Sequence, residues 1–259
     1  MKVISILNYK GGCGKTATAI NLAYELSKKY KTLIIDLDPQ GDVSSKFTDD
    51  FEDINGICEV LTKKEEIENV IYHSNVNNNL YYIPSKLELN DVEEIIRAKG
   101  QTTILHKSLE KIKDKFELVI IDNNPNCPYL FINNIYATDL ILIPIDIYKN
   151  TIKCIDYTIK KINEVIESTW DEVKAEYRIF FTKVTYSKQQ PTLFAREVID
   201  AVNKYYGKRV LKTKIHLQSK PAQIQSFDKN YFPTDNLETS FGKDYSQLSE
   251  EIEALIENV

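Results

Sequence analysis

The segment Lys10-Gly11-Gly12-Cys13-Gly14-Lys15-Thr16 constrains this chain more than any other. It follows an apolar run over residues 2–8 and opens a helical pattern over 15–29. Strand, glycine-rich turn and helix in that order make an anion cradle. Glycines let backbone N–H groups turn inward around a phosphate without Cβ obstruction, and the helix N-terminus adds positive dipole character. Lys15 is placed to reach the β- and γ-phosphates of a nucleotide, and the Thr16 hydroxyl to coordinate Mg²⁺. Tyr9 stands where the pattern G-x-x-x-x-G-K-[ST] has its first glycine, so the loop is a deviant form carrying an additional lysine, Lys10.

Two acidic motifs accompany the loop. The apolar run Leu33-Ile34-Ile35 ends in Asp36-Leu37-Asp38-Pro39-Gln40-Gly41, with carboxylates at i and i+2 on the same side of an extended chain. Leu118-Val119-Ile120-Ile121 ends in Asp122, the arrangement that holds Mg²⁺ through water. Carboxylates at strand ends beside a phosphate loop belong at the carboxyl edge of a sheet, where ligands bind in open α/β folds.

The rest of the chain fits that architecture. Strands are predicted over 2–8, 32–36, 80–84, 117–122, 140–145, 177–183 and 210–215. Helices are predicted over 15–29, 89–98, 103–113, 131–137, 151–168, 192–205 and 245–257. Most strand runs are continuously apolar, as expected for strands buried on both faces. The alternation predicts an α/β fold, a single doubly wound, mainly parallel sheet flanked by helices, in one domain spanning 1–259. Residues 46–79 are the loosest stretch, with short helices expected at 56–61 and 65–72.

Composition excludes several classes. No apolar run approaches the roughly 18–20 residues of a membrane span, and residues 1–6 show no secretion signal, so a cytoplasmic setting is expected. Four cysteines without a C-x-x-C pair suit reduced thiols. The net charge of −5 hides a split. Residues 174–229 hold 12 Lys/Arg against 4 Asp/Glu, a surplus of +8 that leaves −13 for the remainder. A basic segment on an acidic protein suits the phosphate backbone of nucleic acid. Lys188, Arg196, Lys204, Lys208, Arg209, Lys212 and Lys220 form the pool of candidate DNA contacts.

These residues resemble the deviant Walker ATPases of the ParA/MinD superfamily, and within it the ParA/Soj-type partition ATPases. Residues 10–23 resemble the family's KGGVGKTTTAINLA, 35–41 its DLDPQG, 82–85 its IPS segment and 141–147 its LIPV region. Residues 212–227 are similar to its late T-x-I…P…SF stretch. The resemblance implies a P-loop NTPase with a deviant Walker A motif that binds ATP and Mg²⁺ and hydrolyses ATP slowly. It implies that Lys10 reaches across a dimer to the partner's nucleotide. Gly11, Gly12, Cys13, Gly14, Lys15, Thr16 and Ala17 cradle the phosphates, and Thr16, Asp36 and Asp122 serve the metal. Asp38 positions the attacking water. It further implies an ATP-bound sandwich homodimer that binds double-stranded DNA without sequence preference, on the nucleoid, and is released when a ParB-like centromere-binding partner stimulates hydrolysis. Base recognition is expected from Thr182, Lys183, Ile215 and His216, at the ends of the sixth and seventh predicted strands. No N-terminal helix-turn-helix extension is expected.

The chain departs from the family at Cys13, at Ala17, at Asp122-Asn123-Asn124-Pro125, where D-x-P-P is usual, and at Ile215-His216-Leu217-Gln218, where a basic IPRN is usual. A MinD-like membrane switch would end in a basic amphipathic helix, but residues 250–257 are acidic. A metabolic ATP-dependent enzyme on the same fold, without DNA binding, is the remaining alternative.

Overall fold

Seven strand runs, most of them continuously apolar, become seven parallel strands, and an eighth short strand closes one side. The computed structural model describes residues 1–124, 126–169, 173–217 and 228–257. The parallel strands are β1 (Lys2–Ile6), β2 (Thr32–Leu37), β4 (Leu80–Ile83), β5 (Leu118–Asn123), β6 (Leu140–Asp146), β7 (Glu176–Val184) and β10 (Val210–His216). Strand β3 (Tyr72–His73) pairs antiparallel with β4. The sheet order is β10-β7-β6-β1-β5-β2-β4-β3. Strands β8 (Tyr186–Ser187) and β9 (Gln190–Pro191) make a separate small hairpin.

The helices are α1 (Lys15–Ser27), α2 (Asp42–Phe47), α3 (Ile57–Leu61), α4 (Leu89–Ala98), α5 (Ile104–Glu110), α6 (Pro128–Ala137), α7 (Thr151–Ser168), α8 (Leu193–Tyr206) and α9 (Ser240–Ile256). Side chains alternate across the sheet. Leu33, Ile35, Val119 and Ile121 pack beneath α3–α6, while Ile34, Ile120, Leu142 and Phe180 pack on the opposite face with α1 and α9. Helices α7 and α8 cover Ile141, Ile143, Ile179 and Phe181. Phe241, Tyr245, Leu248 and Ile252 of α9 are buried in this core, so its apolar face is already occupied. No helix among the described residues is long and apolar enough to cross a membrane.

Three local expectations are corrected. The helix expected at 65–72 is a 3-10 turn, Ile67–Val70, followed by β3. Helix α9 begins at Ser240, five residues before the expected start, because the Thr239 hydroxyl caps it by accepting the Gly242 N–H at 3.0 Å. Helix α2 lies where no helix is expected and is held by a distant side chain described below.

Strand β1 lies at the centre, and the chain crosses over it on passing from β5 to β6. That reversal of strand order leaves a crevice at the carboxyl edge, and the loop after β1 opens into it. Phe180, midway along β7, is fully buried. Phe180→Ala should destabilise the fold by about 3–5 kcal/mol, read as a shifted urea midpoint with an unchanged slope.

Candidate functional site

The loop after β1 is pinned before it turns. Buried Asn8 donates from Nδ2 to the Pro144 carbonyl (2.6 Å), and its Oδ1 accepts the Lys10 N–H (2.9 Å) and the Thr158 hydroxyl (3.3 Å). Gly12 (φ +70°) and Gly14 (φ +88°) occupy the left-handed region that a Cβ disfavours. The Thr182 hydroxyl donates to the Cys13 carbonyl at 2.7 Å, and Lys183 Nζ donates to the Gly12 carbonyl. A trans peptide sets its N–H opposite its C=O. Tying these two carbonyls to β7 therefore turns the N–H groups of Cys13 and Gly14 the other way. Lys15 curls over the loop, with Nζ 3.3 Å from the Lys10 carbonyl.

The acidic residues converge from two strands. Asp36 and Asp122 are direct partners in the β2–β5 register, and Ile6 of β1 is also opposite Asp122. Both carboxylates are buried. Asp36 Oδ2 accepts the Ser44 N–H (2.9 Å) and hydroxyl (2.6 Å), and Oδ1 accepts the Asp38 N–H (3.1 Å). The two Ser44 bonds anchor the start of α2 to the sheet, which explains a helix that local sequence does not announce. Burial pushes the Asp36 carboxyl up to about 7, against the opposing pull of Ser44 and the Asp38 N–H. Asp122 is likewise raised well above the ordinary carboxylate range, first by burial and then by the charge of Asp36. Thr16 and Lys15 are the neighbours favouring its ionised form. Neither Asp122 oxygen completes a hydrogen bond of good geometry.

Orphaned buried carboxylate oxygens call for a missing partner. No group of three His, Cys, Asp or Glu among the described residues could enclose a metal unaided. That suits Mg²⁺, which is held by one or two carboxylates together with waters and phosphate oxygens. Thr16, Asp36 and Asp122 beside an open phosphate loop fit a Mg²⁺-bound polyphosphate.

Asp38 Oδ1 accepts the Gln40 N–H (3.0 Å) and Asn124 Nδ2 (3.1 Å). Asn124, one of the departures from the family pattern, thus orients Asp38. Lys10 Nζ lies 2.6 Å from each Asp146 carboxylate oxygen and 3.4 Å from the centroid of the Tyr148 ring. Neither partner is evident from the sequence, since 136 residues separate Lys10 from Asp146.

The expected base-binding residues fare unequally. Thr182 and Lys183 stand at the loop through the bonds just described. His216 donates its backbone N–H to Asp244 Oδ2 (2.7 Å), and its ring stacks on Tyr186 with centroids 3.8 Å apart. At Ile215 the side chain is buried in the core between the sheet and α9, so a base contact there would have to come from the backbone.

The expected DNA contacts do not form one patch. Helix α8 crosses from the carboxyl edge after β7 back to the amino edge before β10, about 21 Å for 14 residues. Lys188, in the β8–β9 turn, and Arg196, near the start of α8, lie at the carboxyl edge beside exposed Leu193 and Phe194. Lys204, Lys208, Arg209 and Lys212 lie toward the amino edge, where the Arg209 guanidinium sits 4.2 Å over the Tyr177 ring. Lys220 falls outside the described residues.

A family model described as an AAA domain matches residues 1–175. An uncharacterized protein of Methanocaldococcus jannaschii is 37% identical over 198 residues, covering 73% of this chain and 75% of its own. The chromosome-partitioning ATPase Soj of Treponema pallidum is 29% identical over 255 residues, covering 98% and 97%. Among solved structures, a protein of Borrelia burgdorferi B31 described as a plasmid partition protein bound to AMPPNP superposes with a TM-score of 0.80. It is 25% identical, with 100% of this chain and 99% of that one covered.

Asp36 and Asp122 set a pH dependence for the ligand-free protein. A folded-state value above the unfolded 3.8 means that the native state binds more protons between about pH 4 and 7. The Asp36 contribution is therefore present at pH 4 and is lost as pH rises to about 7, with a slope of at most about 1.4 kcal/mol per pH unit, and Asp122, also raised, acts in the same direction. Urea titrations across that range should show this loss. Asp36→Asn should flatten it, and Mg²⁺-nucleotide, which favours the ionised carboxylates, should reverse it.

Proposed function

Since the chain belongs to the ParA/Soj-type family of partition ATPases, we propose that it works as a DNA-partition switch driven by Mg²⁺-ATP. In this reading residues 1–259 act as a single ATPase domain on the nucleoid. The ATP form pairs into a sandwich homodimer, binds double-stranded DNA without sequence preference and lets go when a ParB-like centromere-binding partner stimulates hydrolysis. The carrying observation is the meeting of the Gly12–Gly14 loop, Lys15 and the buried pair Asp36/Asp122 at the crevice beside β1. The described nucleotide analogue in the Borrelia protein supports the choice of ATP.

The residues divide the work. The loop N–H groups, the start of α1 and Lys15 bind the β- and γ-phosphates. Thr16, Asp36 and Asp122 would hold Mg²⁺, which neutralises charge on the phosphate oxygens. Asp38, oriented by Asn124, accepts a hydrogen bond from the attacking water and holds it in line. Lys10 offsets repulsion between two triphosphates facing each other across the dimer. Lys183 and His216, on Tyr186, border the space left for the base. In the DNA step, a dimer formed across the carboxyl edge would bring Lys188 and Arg196 together with their copies. Two aligned basic patches bind where one is weak. The remainder, at −13, keeps DNA from the other faces.

Lys15→Ala should abolish tight ATP binding in calorimetry, whereas Asp38→Ala should bind ATP and dimerise without turning over. Binding of ATP by Lys15→Ala as tightly as by wild type overturns the phosphate-loop assignment.

Gel shifts on unrelated duplexes at two salt concentrations should show binding with ATP and none with ADP. Charge reversal at Lys188 and Arg196 together should lower the log–log salt slope by about 0.9 for each DNA phosphate that is no longer neutralised. The same change at Lys208, Arg209 and Lys212 should lower it less. Nucleotide-blind binding, or binding that survives both sets, reduces the basic segment to a solvated surface.

A further inference from the structure

Lys10 is the cation that the proposed dimer sends to the partner's nucleotide, yet in the single chain its ammonium is already engaged. Both Asp146 oxygens stand 2.6 Å from Nζ, and the Tyr148 ring lies beneath it at 3.4 Å. A two-oxygen, charge-assisted contact of this length is among the stronger hydrogen-bonded pairs. The pair is also only partly open to water, with side-chain exposures of 28% for Lys10 and 19% for Asp146.

The holder is rigid. Asp146 ends β6, in register with Thr182 of β7. Its carbonyl accepts the Thr151 hydroxyl (2.9 Å) at the start of α7, and Thr151 Oγ1 in turn accepts the Tyr148 N–H (3.1 Å). On the other side, the Lys10 N–H is fixed on Asn8. The lysine thus lies in a cradle built by the carboxyl edge of the sheet and a helix start.

We propose that Asp146 and Tyr148 are positioning residues that hold Lys10 in a monomer pose, so that leaving this cradle sets the threshold for the ATP dimer. The inference rests on the dimer reading above. An ammonium seated on Asp146 and Tyr148 is not free to cross to a partner's phosphate. Polyphosphate in the chain's own loop brings negative charge toward Asp146 and competes for the lysine, which ties release of the cradle to nucleotide loading. Departure of that charge after hydrolysis returns Lys10 to Asp146.

The test compares wild type with Asp146→Asn, Asp146→Glu and Tyr148→Leu. Dimer dissociation constants are measured by sedimentation with a non-hydrolysable ATP analogue, and reductive methylation of Lys10 in the nucleotide-free monomer is followed by mass spectrometry. Asp146→Asn removes the charge at constant shape and should tighten the dimer by about five- to tenfold. It should also speed Lys10 methylation. Asp146→Glu should restore most of both wild-type values. Tyr148→Leu leaves Asp146 in place and should tighten the dimer by about two- to threefold, which keeps the test open should Asp146→Asn fail to fold. Adding Asp146→Asn to Lys10→Ala should change nothing further. A wild-type dimer that Asp146→Asn and Tyr148→Leu leave unchanged or weaken overturns the cradle alone. A wild-type protein that stays monomeric with the analogue overturns the dimer reading, and the cradle with it.

Discussion

Two carboxylates, Asp36 and Asp122, are buried side by side at the ends of adjacent parallel strands. Burying one unpaired carboxylate is costly and burying two together more so, so their neighbourhood has to be built around them. Asp36 is satisfied by the Asp38 backbone and by Ser44, and in being satisfied it anchors α2. Asp122 is left without a donor of good geometry, facing Thr16 and Lys15. The pair therefore favours any state that brings a cation to it. Ligand binding to the native state alone stabilises it in proportion to the logarithm of ligand concentration over its dissociation constant. A cation bound here also relieves a penalty that the fold carries without it, which links nucleotide state to rigidity at the centre of the sheet.

The phosphate loop is held by parts of the chain far from it in sequence. Asn8 fastens it to β6 and α7, while Thr182 and Lys183 fasten its carbonyls to the end of β7. The same strand end continues into the start of α8. The Thr192 N–H donates to the Thr185 carbonyl at 3.0 Å, and the Leu217 N–H at the end of β10 donates to the Val184 carbonyl at 2.8 Å. A few residues therefore separate the loop carbonyls from Lys188 and Arg196. A shift of the Gly12 or Cys13 peptide on phosphate binding has a short, hydrogen-bonded route to the basic edge.

Much of this was legible in the sequence because β1, β2, β5 and β6 are nearly continuous apolar runs, and burial on both faces leaves little else for such runs to be. The strand-ending carboxylates were legible for the same reason: a polar residue closing an apolar run must sit at the sheet edge. Helix α2 was not, because its stabilising acceptor is Asp36, several residues upstream and in a strand. Strand β3 was not, because two residues carry no period. The cradle on Lys10 depends on Asp146 across the fold, which no local pattern records. The placement of Ile215 was different, since the signal was present. Lys212-Thr213-Lys214-Ile215-His216 alternates, and with both lysines on one side Ile215 had to face the core. The basic pool divides because helix length, which charge counting ignores, carries Lys204 away from Arg196.

The acidic C-terminal helix has a structural purpose that its composition alone does not reveal. Strand β10 is an edge strand, and edge strands present free N–H groups that invite pairing with other chains. Glu251 of α9 accepts the N–H groups of Lys212 (2.8 Å) and Thr213 (3.0 Å), and Asp244 accepts that of His216 (2.7 Å). Carboxylates from one helix thus occupy donors along the edge, while the helix's apolar face packs on α1. The opposite edge, β3, is only two residues long. With one side covered by α9 and the other too short to template a partner, side-by-side pairing through the sheet is disfavoured. The carboxyl edge, where Lys10, Lys188 and Arg196 stand, is not closed off in either of these ways.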